Sequence, residues 1–407
     1  MPRPDHRASA ARRRLRPLAV ALGLAVVLVP AAPSMAADAW SVPRSATVVI
    51  KGHGYGHGHG MSQYGAEGAA RQGLGYDQIA EFYYPGTTWG TAGGQVRVLI
   101  TAATSDDLVV RAQTGLKVKD LSTGQQSRLP DNGATKWRLR PGTGTTTVVS
   151  FRASKTWKRW TVLGGDAELY ANGRPLRLQL PGGATKSYRG RLRSAAPTPG
   201  SSARDTVNVL TLDNYLRGVV PLEMPALWST EAVRTQAVAA RTYAAYERAH
   251  PRASSYQICD TSSCQVYGGY DAEHPASNAA VDATAGEVLL DDAGQPAFTQ
   301  FASSSGGWTS AGSMDYLAAQ PDPYDGWAGN PVHDWTIKLS DTAVEKKLPA
   351  IGNLTKITVT ARDGNGDWGG RVESVTFVGG KGKRTLSGDA VRSLFGLRST
   401  YFTFRIR

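Results

Sequence analysis

Every second residue from Gly52 to Gly60 is glycine, in the run Gly52-His53-Gly54-Tyr55-Gly56-His57-Gly58-His59-Gly60. Such a run lacks the rigidity of a helix or strand, because glycine has no Cβ to pack and loses the most freedom on ordering. It predicts a loop whose backbone approaches another element closely. His53, His57 and His59 also have a zinc-binding pattern in principle. The strand-like Thr47-Val48-Val49-Ile50 leads into the loop. Met61-Ser62-Gln63-Tyr64-Gly65-Ala66 leaves it, and Ile79–Tyr84 is stopped by Pro85-Gly86.

The remainder divides by texture. Residues 95–205 alternate apolar and polar side chains, as in Val96–Ile100, Leu116–Lys119 and Trp137–Arg140, with turns at Asn132-Gly133 and Asn172-Gly173. Further strands are expected at Tyr188–Leu192, Val207–Leu212, Ala297–Ala302 and Val372–Val378. The clearest helix is expected over Thr230–Arg248, with Ser229 as N-cap, Glu231 in its first turn and Pro251 beyond its end. Val233, Ala237, Ala240 and Ala244 fall on one face of it. The expected fold class is α+β: a strand-rich mixed fold with one long helix and a β-rich accessory module.

Residues 1–36 read as a secretory signal. Arginines precede the uncharged run Leu18–Val29, and Ser34 and Ala36 fit a cleavage site. The run is short for a membrane span, so contact with a membrane is expected only if this segment stays uncleaved. The formal charge of +13 is scattered and accompanies no nucleic-acid-binding motif. For an exported chain it suits an anionic envelope polymer, or serves solubility alone.

Four constellations could carry chemistry. Glu223 sits between Pro221 and Pro225 among apolar residues, where burial would raise its pKa towards that of a general acid. A structural carboxylate at the helix entry is the alternative. The histidine loop is the second. Cys259 and Cys264, the only cysteines, read as a disulfide in an exported chain, with a zinc site or free thiols as alternatives. Ser303 to Thr309 offers hydroxyls and backbone N–H groups beside Trp308, suited to sugar hydroxyls, and does not match a nucleophile elbow.

The run Tyr215 to Pro225, continued by Glu231 to Tyr243, resembles the signature of the sporulation stage II protein D family, also called SpoIID/LytB or amidase-enhancer-like. Cys259-Asp260-Thr261, Cys264 to Gly269, Ser303 to Thr309, Asn330-Pro331 and Gly396 to Thr400 are further points of similarity, over most of residues 185–407. The Gly/His loop with Met61 to Ala66 resembles a segment that lies C-terminally in many members, which suggests a circular permutation. The division implied is a permuted segment 45–90 packing on the catalytic domain, an accessory module 95–185 and a catalytic domain 186–407.

The resemblance implies a secreted or cell-wall lytic transglycosylase. It would cleave the MurNAc–GlcNAc bond of peptidoglycan, in glycan strands stripped of stem peptides for some members, without water and without a cofactor. Glu223 would be the single acid and base, since the sugar's own hydroxyl replaces water as nucleophile. Gln236, Arg241, Tyr243, Ser304, Ser305, His57 and Gln63 are the implied substrate-binding candidates. The alternative is a non-catalytic peptidoglycan-binding enhancer of a cell-wall amidase. A zinc hydrolase using His53, His57 and His59 is a third reading. Some relatives hold a metal near the cysteine motif, and here no histidine adjoins Cys259 or Cys264.

Overall fold

The computed structural model describes residues 38–407; the export signal read in residues 1–36 lies outside the described residues. The fold is mixed α+β, rich in sheet, with one 20-residue helix. Two apolar cores organise it. The larger gathers side chains from Met61 to Leu317, among them Val96, Leu139, Leu192, Tyr215, Val219 and Ala237. The smaller joins Val48 and Ile50 to residues of the last third of the chain, including Trp335, Val375, Phe377, Phe402 and Phe404.

The alternating stretches form two antiparallel sheets. One has six strands, in the order Thr156–Leu163, Thr147–Ala153, Lys136–Pro141, Leu108–Arg111, Leu176–Gln179 and Thr185–Tyr188. The other has seven, running from Ile258–Cys259 through Gln95–Leu99, Asp205–Thr211, Arg191–Ala195, Ala167–Tyr170 and Lys117–Asp120 to Gln126–Arg128; only its first pair is parallel. This sheet therefore draws strands from both sides of residue 185. The single strand expected at Tyr188–Leu192 is two strands in different sheets, separated by a turn at Arg189-Gly190 where Gly190 has φ +74°. Of the strand expected at Ala297–Ala302, only Phe301–Ala302 pairs. The Phe298 N–H instead goes to the Tyr316 hydroxyl, which takes that residue out of any ladder.

Thr47–His53 pairs on one side with Asp334–Ser340 and on the other with the C-terminal strand Phe402–Ile406. The two ends of the described chain meet there: Thr47 and Arg407 exchange backbone hydrogen bonds of 2.8 and 3.0 Å. A four-stranded antiparallel sheet, Asp38–Ser41, Leu354–Arg362, Val372–Gly379 and Gly382–Ser387, covers the same core.

Helices α1 (Gln63–Arg71), α2 (Tyr76–Tyr83), α3 (Leu212–Arg217), α4 (Val220–Glu223) and α6 (Pro275–Ala283) surround α5 (Thr230–Ala249); α7 (Asp341–Lys347) and α8 (Gly388–Phe395) belong to the smaller core. Because α5 is packed from several sides, it buries far more than the alanine face. Thr235, Gln236, Arg241 and Thr242 are as inaccessible as Ala237 and Ala240. Ser229 stands at the N-cap position, but its side chain makes no capping bond. Its backbone N–H goes to the buried Glu67 of α1 at 2.8 Å, and Glu231 accepts the Tyr76 N–H of α2 at 3.0 Å. The start of α5 is thus tied to residues over 150 positions earlier.

Candidate active site around Glu223

Glu223 ends the single turn of α4, whose second position is Pro221. Proline suits the first turn of a helix, whose N–H groups have no intrahelical acceptor to lose. The Glu223 and Met224 N–H groups bond back to Val219 and Val220 at 3.1 and 3.0 Å, so the tight turn fixes where the carboxyl starts. The side chain is half-buried. Burial raises its pKa, and one hydrogen bond opposes this: the Val266 N–H donates to Oε1 at 2.7 Å.

Val266 reaches the carboxyl because its segment lies against α4. The Gly268 N–H bonds the Gly218 carbonyl at 3.0 Å. A Cβ on Gly268 would stand 2.8 Å from Leu222 Cδ1, so a side chain there would push the two segments apart. Just before it, Cys259 and Cys264 are joined in a disulfide with Cα atoms 5.5 Å apart. Gln265 is wholly buried; it accepts from the Tyr215 hydroxyl at 3.1 Å and donates to the Ala240 carbonyl of α5 at 3.2 Å. The Tyr215 phenol is held neutral by burial first and by the nearby Glu223 charge second. Leu222 and Leu227, on either side of Glu223, are exposed, as is Tyr270, which stacks under the Arg189 guanidinium at 4.8 Å.

The other candidates are placed as follows. Gln63 is nearly buried and donates to Gln236 Oε1 at 3.2 Å, which links the start of α1 to α5. Arg241 is fully buried and occupied by the protein: it meets Asp213 at 2.8 Å and the Val281 and Glu287 carbonyls at 3.1 and 3.2 Å. Tyr243 is buried and accepts from Arg252 at 3.2 Å. These bonds make Arg241 and Tyr243 part of the packing around α5.

Ser304 and Ser305 are also buried, bonded to Asp325 at 2.8 Å and Asp322 at 2.7 Å. The glycine loop lies on this serine segment, with Tyr55 and Ser304 exchanging backbone hydrogen bonds of 2.9 and 3.0 Å. A Cβ on Gly54, at φ +72°, would come within 2.7 Å of the Ser304 carbonyl oxygen. Asp325 also receives Ser62 at 2.6 Å and His333 at 2.7 Å. Burial would raise the Asp325 pKa, but these bonds outweigh it and bring it below the ordinary carboxylate value. Burial, then the Asp325 charge, pushes its neighbour Asp322 up to about 7.

The loop histidines have separate surroundings. His53 meets Asp334 at 2.6 Å and stacks on Trp368. His57 stacks on His59, and burial, followed by the charges of His59 and Arg371, lowers its pKa to about 4. Among the described residues, no group of three or more His, Cys, Asp or Glu side chains is arranged to hold a metal ion.

Tyr215, Gln265 and the Val266 N–H lie within the sequence motifs, but their linear context assigns them no role. Asp322, Asp325 and His333 lie outside the four constellations. The signal was there in Pro321-Asp322-Pro323-Tyr324-Asp325, two carboxylates three apart in a proline-stiffened turn.

Residues 201–290 match the family model SpoIID, Stage II sporulation protein. That span holds Glu223, α5 and the cysteine loop, and leaves out the glycine loop and the 303–309 serines. The chain is 38% identical over 138 residues to the amidase enhancer of Bacillus subtilis, covering 32% of this chain and 18% of that protein. It is 28% identical over 238 residues to the stage II sporulation protein D of the same organism, covering 50% of this chain and 63% of the relative. The stage II sporulation protein D of Bacillus amyloliquefaciens is 27% identical over 228 residues, covering 50% and 63%. The chain thus spans less than two thirds of the length of each of these relatives. No solved structure matches it.

Proposed function

From this family-level kinship with the amidase enhancer and stage II sporulation proteins, we propose that the protein works on the cell wall, outside the cytoplasmic membrane, binding peptidoglycan glycan strands and enhancing a cell-wall amidase. The observation that carries this reading is the 38% identity to an amidase enhancer across 138 residues. The test is to add the purified protein to a cell-wall amidase acting on peptidoglycan and follow the release of stem peptides. Faster release is expected; an unchanged rate when the protein is bound to the glycan rejects the reading.

A second reading, the lytic transglycosylase, is favoured by the environment of Glu223. A carboxyl whose pKa is raised by burial stays protonated long enough to give its proton to the leaving oxygen between MurNAc and GlcNAc. The resulting carboxylate then takes a proton from the sugar's C6 hydroxyl, which closes on the anomeric carbon to form a 1,6-anhydro end. The Val266 N–H supports the anionic half of this cycle. A second carboxylate is unnecessary because no water is activated. Mass spectrometry of digested glycan separates the readings. Anhydro ends that vanish in Glu223→Gln support catalysis by this chain, whereas amidase enhancement that survives the substitution supports the first reading.

A further inference from the structure

The six-stranded sheet carries an unusual row of side chains. Lys136 stands directly opposite Arg111 on one neighbouring strand and Arg152 on the other. Arg152 in turn stands opposite Trp157 on the edge strand. Like charges directly opposite one another in a sheet are destabilising, and here three cations follow in succession across adjacent strands. Burial, then the charges of Arg111 and Arg152, lower the Lys136 pKa. Two positions along the same strand, Arg138 lies 4.3 Å over the Trp157 ring and pairs with Asp107 at 3.0 Å.

Lys136, Arg138, Arg152, Trp157 and Gln179 line a cleft of about 300 Å³, in which Asp107 is the sole carboxylate among the described lining residues. Three buried polar atoms there have no hydrogen-bond partner: Nε of Arg138, Nε of Arg152 and Oε1 of Gln179. Unpaired buried polar groups cost stability, as does the cationic row; an oxyanion in the cleft would offset the row and accept from the two Nε–H groups, while Gln179 Oε1, itself an acceptor, needs a donor such as a sugar hydroxyl. None of these residues falls within 201–290, the span that carries the family match.

We propose that this cleft binds an anionic sugar polymer, with Lys136 and Arg152 receiving a phosphodiester or carboxylate oxyanion and the Arg138–Trp157 platform receiving the adjoining sugar or polyol unit. The site would hold the protein to an acidic envelope polymer independently of what Glu223 does.

The test uses the whole chain lacking residues 1–36, titrated with poly(glycerol phosphate), polygalacturonate and neutral dextran, with tryptophan fluorescence as readout. Binding to an anionic polymer that weakens as salt is raised is expected. The tighter of the two anionic probes identifies phosphodiester or carboxylate as the source. Lys136→Gln with Arg152→Gln should weaken this binding about tenfold or more, by removing two charges from the contact. The same change should raise the thermal midpoint of the free protein, because the opposed cations are gone. Amidase enhancement and anhydro-end formation on peptidoglycan freed of acidic polymer should be unchanged. If the double variant does not fold, Lys136→Gln alone serves. No binding to either anionic probe, equal binding to dextran, or undiminished binding by a folded variant overturns the proposal.

Discussion

The backbone N–H of Val266 donates to Glu223 Oε1 at 2.7 Å, across 43 residues of sequence. This bond lets a half-buried carboxyl exist in either protonation state: burial favours the acid, and the N–H favours the anion. A proton-transfer group that must act twice needs both.

Glu223→Gln keeps the shape and removes the proton. If Glu223 is the acid and base, the variant should fold, bind glycan and lose anhydro-end formation by roughly 10²–10⁴-fold. Stability should change in a defined direction. A carboxyl with a raised folded pKa binds its proton more tightly when folded, so stability falls as pH rises from the unfolded value towards the folded one. Gln does not titrate, and the variant should lose that decline. Denaturant melts between pH 4 and 8 measure the stability, and mass spectrometry the products.

Breaking the Cys259–Cys264 link with two serines should loosen the loop that presents Val266. The closed loop is short, so the entropic loss is about 2–3 kcal/mol at most. Without the Val266 bond the Glu223 pKa should rise further. A modest fall in melting temperature is expected and, if Glu223 is the acid and base, a pH profile of anhydro-end formation shifted to higher pH.

Asp322 carries a pKa of about 7 through burial and the adjacent Asp325 charge. Its protonated form is favoured by folding, so it makes the protein lose stability as pH climbs from about 4 to 7. Asp322→Asn should flatten the stability profile in that window. Urea denaturation at half-unit pH steps checks it, and a slope equal to the parent's would show that Asp322 does not titrate there.

Arg241→Ala should act on folding. It would leave the carbonyls of Val281 and Glu287 without their buried donor, at about 2 kcal/mol or more, while the partly exposed Asp213 loses an ion pair that water screens. Any variant protein that stays folded at low temperature should bind glycan like the parent, a result that a substrate-binding arginine would not give.

A circular permutant tests whether the glycine loop can be moved to the other end of the chain. Thr47 and Arg407 are hydrogen-bonded neighbours. Joining Arg407 to Asp38 by a flexible linker and opening the chain at the exposed Gly93-Gly94 should therefore give a folded protein. Loss of the cooperative melt would show that the order of segments matters.

Local pattern determined much of this molecule. The alternation of Trp137-Arg138-Leu139-Arg140 marks a half-buried strand because side chains in a strand point alternately to its two faces. Thr230–Ala249 is close to the helix its periodicity and flanking residues predict. The Pro221–Pro225 bracket singled out Glu223 as a carboxyl in unusual company. Only the tertiary structure decided what surrounds each of these. Gln63 meets Gln236 and Ser62 meets Asp325 across 173 and 263 residues, and no local spacing encodes such a pairing. Arg241 looks like a binding residue in the linear motif and is a buried strut in the fold, because α5 is enclosed from several sides rather than presented on one face. The state of Glu223 was settled in the same way. Its pKa depends on how much water the packing excludes and on which N–H reaches it, and both are properties of segments brought together from distant parts of the chain.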